Sequence, residues 1–285
     1  MRFRSGLLIG IFGLIVVLLG GWFFTLATAL LTYLALLEFF RMAEFKGIKP
    51  ATKTTLLSSF FIILSTYLET IGLIEGEISN SILPICSVAL CTWLLLQPKP
   101  GTISDIAASI FGLFYLGFLP SYWIKLRGLE SVIISTNKSF ISFENLSDTT
   151  GLLLTLTSCF LIVASDIGSY FVGKSLGKKS LSPISPSKTI EGLIGGISWS
   201  IFLAIFFAFL LNWENPFLIG VLYGTLISLM ALVGDLIESM MKRDAKIKDS
   251  GTLLPGHGGI LDRIDSYIFT PSVLYYIFIL IKYLN

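Results

Sequence analysis

Two carboxylate pairs are the part of this chain best suited to chemistry. Asp235, Glu238, Ser239 and Lys242 fall at i, i+3, i+4 and i+7. A helix continuing past Gly234 would therefore line two carboxylates, a hydroxyl and an ammonium on one stripe. Asp262 and Asp265 repeat the i, i+3 spacing. Between the pairs, Pro255-Gly256-His257-Gly258-Gly259 permits sharp turns and close backbone approach, which would fold one pair back toward the other. Hard divalent cations take carboxylate oxygens, and Mg2+ takes one or two of them with phosphate and water, so Asp235 with Asp262 is the expected metal pair. The plainer alternative for the stripe is a charged helix end with an i, i+4 Glu238–Lys242 pair and a snorkelling lysine. His257 is the only histidine. In a glycine-rich turn it is expected to be a structural hydrogen-bonding group.

A third polar stretch runs from Asp166 to Gly192. It carries Gly168, Gly173 and Gly177, then Lys174, Lys178 and Lys179, the turns Ser182-Pro183 and Ser185-Pro186, and finally Lys188, Thr189 and Glu191. Small residues expose backbone N–H groups, and lysines and hydroxyls add charge and donors, a composition suited to cradling phosphate. The competing reading is an ordinary lysine-rich loop on the cytoplasmic side of a membrane.

Everything around these stretches is built for hydrocarbon. Apolar residues make up 54% of the chain, charged residues only 13%, and the mean hydropathy is +0.85. A soluble domain carries about a quarter charged residues, so this composition belongs to an integral membrane protein. Cys86, Cys91 and Cys159 lie in apolar runs without metal-ligand spacing and read as small hydrophobes. A net charge of +2, with no basic run interleaved with aromatics, argues against a nucleic-acid partner.

Apolar runs predict an all-α polytopic bundle of about nine transmembrane helices, near 7–19, 22–40, 55–73, 82–97, 106–124, 151–170, 191–212, 216–234 and 266–284. Leu7 to Phe40 as one helix would reach roughly 50 Å against a hydrocarbon core of about 30 Å, so a break is expected at Gly20-Gly21. Arg2 and Arg4 before a short apolar run also resemble a signal peptide, but no A-x-A-like site directly follows, and a retained span is expected. With nine spans, every basic residue except Lys125, Arg127, Lys138 and Lys282 falls on the side of the N-terminus. That bias places the N-terminus and both lysine-rich loops in the cytoplasm, with 128–150 as an external loop. No composition shift marks a domain boundary, so residues 1–285 read as one membrane domain, 1–150 as scaffold and 151–285 as the catalytic half.

The residues Ser239, Lys242, Arg243, Asp244, Lys246, Lys248 and Asp249, followed by Leu254-Pro255-Gly256-His257-Gly258-Gly259 and by Asp262, Arg263 and Asp265, resemble the C-terminal signature of the phosphatidate cytidylyltransferases, or CDP-diacylglycerol synthases. Upstream, Asp166, Gly168, Tyr170, Gly173 and Lys174, with Ser185-Pro186, Lys188-Thr189 and Glu191-Gly192, are similar to the same family's pattern. Ser187 departs from it, standing where the family usually has Lys or Asn. The resemblance implies transfer of a cytidylyl group from CTP to phosphatidate with Mg2+ as cofactor. Together with the carboxylate spacing, which puts Asp235 and Asp262 on the metal, it points to Asp235, Asp262, Lys242, Arg243, Arg263 and Asp265 for catalysis. It assigns Asp166, Lys174, Lys179, Ser185, Lys188, Thr189, Glu191, Ser239, Lys248 and His257 to substrate binding. It also implies a homodimer among membrane lipids, in a bacterial inner membrane, with the site facing the cytoplasm. Competing functions are a CTP-dependent lipid kinase, a cytidylyltransferase for another lipid phosphate, and an ion-coupled transporter, whose polar residues would be spread through the membrane rather than gathered at one face.

Overall fold

The computed structural model describes residues 2–74, 78–129, 150–213, 215–251 and 258–284, with side chains from residue 10 to residue 280. Among them the fold is helical, and the β pairing is an isolated bridge between Ser180 and Thr189. In chain order the helices are α1 (Arg2–Leu19), α2 (Gly21–Phe45), α3 (Thr52–Thr70), α4 (Ile78–Leu95), α5 (Ile103–Gly112) and α6 (Tyr122–Arg127). They are followed by α7 (Thr150–Leu176), α8 (Ile190–Leu210), α9 (Pro216–Asp244), the single turn α10 (Leu261–Ile264) and α11 (Thr270–Leu284). Six stretches among the described residues are long and apolar enough to cross a membrane: α2, α4, the continuous run Ile103–Arg127, α7, α8 and α9. The loop expected at 128–150 lies almost wholly outside the described residues.

The chain divides into two compact units, Met1–Gly128 with Met241–Ile264, and Leu129–Met240 with Asp265–Asn285. In the first, the break between α1 and α2 falls at Gly20, where φ is +62°, followed by Gly21 at +47°. Both values lie in the left-handed region that glycine tolerates. The Arg127 guanidinium donates to the Val17 carbonyl at 3.1 Å, supplying a cation to the end of α1. After α5 the helix widens into a π turn over Leu113–Phe118 and tightens into a 3₁₀ turn over Leu119–Ser121. Pro120 explains the change, because its ring and missing N–H disrupt regular α-helical bonding to the preceding turn. Gly112 and Gly117 admit neighbours here: an added Cβ would stand 3.0 Å from the Phe40 ring and 2.9 Å from Ser59 respectively.

The same unit buries an ion pair. Lys125 Nζ lies 3.5 Å from Glu69 Oε2, with the side chains 6% and 10% exposed. Glu69 also accepts from the Ser79 hydroxyl at 2.8 Å, and Asn80 Oδ1 accepts from Tyr122 Oη and Lys125 Nζ. This network ties α3, α4 and α6 together.

In the second unit, small residues let helices approach closely. Cβ atoms added at Gly220 and Gly224 of α9 would each stand 2.7 Å from a Cα of α8, that of Ile205 and of Ile201. Such spacing of small residues is a common way for membrane helices to gain packing. Polar links accompany it: Tyr223 Oη lies 2.8 Å from Ser158 Oγ, Ser165 Oγ lies 2.7 Å from Ser228 Oγ, and Ser200 Oγ donates to the Gly224 carbonyl at 2.9 Å.

The first unit offers a comparison of two ion pairs. Removing one partner of a buried pair strands the other charge at a cost of about 3–5 kcal/mol. An exposed pair such as Lys46–Asp244, with side chains 41% and 68% exposed, contributes about 0–1 kcal/mol. Lys125→Ala is therefore expected to lower the melting temperature in detergent clearly, and Lys46→Ala to leave it nearly unchanged, as read by thermal scanning of purified protein.

Candidate functional site

α9 carries the first carboxylate pair. The helix continues well past its apolar stretch to Asp244, so Asp235, Glu238, Ser239 and Lys242 fall on one helical stripe, as the spacing predicts. Gly234 permits a close backbone approach, since a Cβ there would collide with the Asp265 carbonyl oxygen. Its absence lets the 3₁₀ turn Asp265–Tyr267 lie against α9 one residue before Asp235. One carboxylate oxygen from each of Asp235, Glu238 and Asp265 then falls within 4.8 Å of the other two.

This cluster gathers three carboxyl groups, two of them buried. Glu238 is fully buried and Asp265 is 9% exposed. Burial pushes the Asp265 carboxyl up to about 7; the charge of Asp235 adds to the shift, the Ser266 N–H opposes it, Asp166 adds further and Lys188 opposes it. Lys188 forms an ion pair with Asp235 Oδ2, and Ser239 Oγ approaches Asp235 Oδ1 at 3.4 Å. Three oxygen ligands gathered in a buried setting suit a hard divalent cation, the group that would relieve their mutual repulsion.

The loop between α7 and α8 is shaped by its own hydrogen bonds. Leu181 N–H donates to the Lys188 carbonyl at 2.7 Å, Ile190 N–H to that of Lys179 at 3.0 Å, and Lys188 N–H to that of buried Ser185 at 3.0 Å. The Thr189 hydroxyl caps α8 by accepting from Gly192 N–H at 3.0 Å. Glu191 Oε2 accepts from the backbone of Lys178 and Lys179, at 3.0 and 3.4 Å. Thr189 and Glu191 thus hold the loop that presents Lys188. Lys174 lies over the Tyr170 ring, 5.6 Å from its centroid.

The glycines of this stretch differ from the open cradle their composition suggested. Gly168 and Gly173 lie inside α7, where a Cβ would stand 2.7 Å from Trp199 and 3.1 Å from Thr189 Oγ1. They serve close packing of α7 on α8.

The second aspartate pair is divided. Asp265 joins the cluster of the second unit, whereas Asp262 belongs to the first unit and is engaged there. Its Oδ1 accepts from Lys242 Nζ at 2.7 Å, and its Oδ2 accepts from Ser250 N–H at 3.0 Å and Gly259 N–H at 2.7 Å, with Ser250 Oγ 3.1 Å away. Arg243, Lys248 and Arg263 are exposed, with Arg243 reaching the Ile247 carbonyl at 3.4 Å. His257 lies outside the described residues. One residue of this neighbourhood escapes sequence reasoning: Glu38 of α2 accepts from Ser250, Ile260 and Leu261. A carboxylate inside an apolar run was the available signal.

Comparison with known proteins matches residues 1–281 to the cytidylyltransferase family. This chain belongs to that family. It is 44% identical over 279 residues to a phosphatidate cytidylyltransferase of Synechocystis, covering 94% of this chain and 92% of that one. It is 38% identical over 281 residues to the chloroplastic phosphatidate cytidylyltransferase 5 of Arabidopsis thaliana, covering 96% of this chain and 70% of that protein. A phosphatidate cytidylyltransferase of Bacillus subtilis is 34% identical over 280 residues, with 97% and 96% covered.

Within this cytidylyltransferase, Gly234 separates geometry from stability. Misplacing a reacting group by about 1 Å can cost roughly a hundredfold in rate. Gly234→Ala, which pushes Asp265 from Asp235, is expected to lower turnover per folded molecule by that order. Gly220→Ala, at a helix crossing, should lower the melting temperature with a much smaller change in turnover. Steady-state kinetics and thermal scans on the two purified variants make the comparison.

Proposed function

We propose that this chain transfers the cytidylyl group of CTP to phosphatidate, giving CDP-diacylglycerol and pyrophosphate. The observation that carries this reading is the near full-length identity to proteins named for that reaction, joined to a buried carboxylate cluster paired with a lysine. A phosphate oxygen of the lipid attacks the α-phosphorus of CTP. The bond from that phosphorus to the α–β bridging oxygen breaks, and pyrophosphate leaves with its electron pair. The nucleophile is already ionised at neutral pH, so no strong general base is needed. Both reactants are anions, and the demand on the protein is to neutralise charge and hold attacker and leaving group in line.

Asp235, Glu238 and Asp265 would hold a Mg2+ ion, since their donors are all oxygen and gather within 4.8 Å. When bound, such an ion supplies electrostatic stabilisation to phosphate oxygens. Asp262, the partner expected for Asp235, takes a different part in this reading: it orients Lys242. Lys174, Lys178, Lys179 and Lys188 draw in the triphosphate as point charges, and Arg243 and Arg263 offer forked contacts to phosphate. Ser239 steadies Asp235.

In the membrane, we read nine crossings, the six long helices with α1, α3 and α11 added. The distribution of Lys and Arg supports a cytoplasmic N-terminus and a cytoplasmic loop at 177–189. With Cys86, Cys91 and Cys159 replaced, a cysteine at Ser187 should react with an impermeant reagent only from the cytoplasm, and one at Leu73 only from outside. Labelling of both from the same face would break the nine-crossing arrangement.

The deciding assay gives purified protein CTP labelled at either the α or the γ phosphate, with and without phosphatidate and Mg2+. Lipid carrying the α label is expected; lipid carrying the γ label would show a kinase instead. The same assay tests the acidic cluster. Protons compete with a cation for Asp265, so the Mg2+ needed for half-maximal activity should fall by up to about tenfold per pH unit on rising toward 7, and level off above it. A Mg2+ requirement independent of pH between 6 and 8 would separate Asp265 from the cation.

A further inference from the structure

Glu38 is a carboxylate buried in the apolar run of α2, only 6% exposed. An ionisable group in such a place is costly unless donors surround it. Three do. Its Oε1 accepts from Ile260 N–H at 2.9 Å, and its Oε2 accepts from Leu261 N–H at 2.9 Å and the Ser250 hydroxyl at 2.8 Å. The donors come from Ser250 and from Ile260 and Leu261, so one side chain far away in sequence ties these two points of the chain together.

The chain at these points is cut to fit this carboxylate. A Cβ added at Gly251 would stand 2.6 Å from Glu38 Oε1, and one at Gly259 would overlap both Glu38 Oε2 and Ser250 Oγ. Neither glycine has a left-handed backbone, in contrast to Gly258 at φ +81°. Close approach to Glu38 is thus the physical demand at both positions.

From Glu38 the contacts lead to a charged pair. Ser250 Oγ lies 2.8 Å from Glu38 Oε2 and 3.1 Å from Asp262 Oδ2, and a hydroxyl has one proton to give. The backbone of Ser250 and Gly259 holds the same Asp262 oxygen, leaving Oδ1 to pair with Lys242. We infer that Glu38 is a positioning residue for the reaction, acting through Ser250 and Asp262 to set the Lys242 ammonium. A glutamine could not replace it, because its amide NH2 would face a donor on one side or the other. The inference rests on the proposed cytidylyl transfer and on Lys242 serving it.

The test compares full-length protein in detergent with Glu38→Gln and Ser250→Ala, using α-labelled CTP and phosphatidate and normalising to folded molecules. Losing a hydrogen bond to a charged group corresponds to about ten- to a hundredfold. That loss is expected in kcat for Glu38→Gln, with the KM for CTP within about threefold of the parent; Ser250→Ala should show the smaller loss of the same kind. If Glu38→Gln lowers the melting temperature but leaves kcat per folded molecule unchanged, Glu38 is only a tether and the inference fails. A loss confined to KM overturns it equally. Should Glu38→Gln not fold, Ser250→Ala decides alone: reduced kcat upholds the inference and unchanged kcat overturns it. A parent protein that makes no labelled lipid would instead remove the proposed reaction, and the positioning role with it.

Discussion

A carboxylate removed from water must meet a cation or a set of donors, and each unit of this protein answers that requirement in its own way. In the first unit, Glu38 and Asp262 are surrounded by N–H and O–H donors, with Lys242 completing the set around Asp262. In the second, Asp235, Glu238 and Asp265 crowd together, with the Lys188 ammonium at one oxygen of Asp235. The difference decides what each can do. A carboxylate met by donors on each oxygen is held in one orientation, whereas carboxylate oxygens crowded together are suited to holding a metal ion.

Packing brings these groups to their places. α9 extends beyond its apolar stretch as one helix, so Asp235, Glu238 and Ser239 are presented by a packed helical element. Glycine then sets distance: Gly234 admits the backbone of Asp265, and Gly251 and Gly259 admit the carboxylate of Glu38. In each case the missing side chain matters because another group occupies its volume. The Lys188 loop is held by neighbours too, through the Thr189 cap and the Glu191 contacts to backbone N–H groups.

Much of this was legible in the sequence. Helix periodicity placed Asp235, Glu238, Ser239 and Lys242 on one stripe, and the length of Leu7–Phe40 required the break that Gly20 supplies. The density of the signature between Ser239 and Asp265 pointed to the family. Pair spacing did not single out Asp265 as a neighbour of Asp235, because Asp262 and Asp265 differ only in how a short turn aims them. Gly173 read as loop beyond the span expected to end near residue 170, since the apolar run fades before α7 ends. Glu38 was hidden by distance in sequence: its donors lie more than two hundred residues away, and nothing local announces them.

The direct test of the central claim is equilibrium binding of Mn2+, followed by electron paramagnetic resonance, to purified parent protein and to the Asp235→Asn, Asp265→Asn and Asp262→Asn variants. A site is expected in the parent that is lost or strongly weakened in Asp235→Asn and Asp265→Asn and retained in Asp262→Asn. Retention in Asp265→Asn with loss in Asp262→Asn would contradict it and return the metal to the pair formed by Asp235 and Asp262.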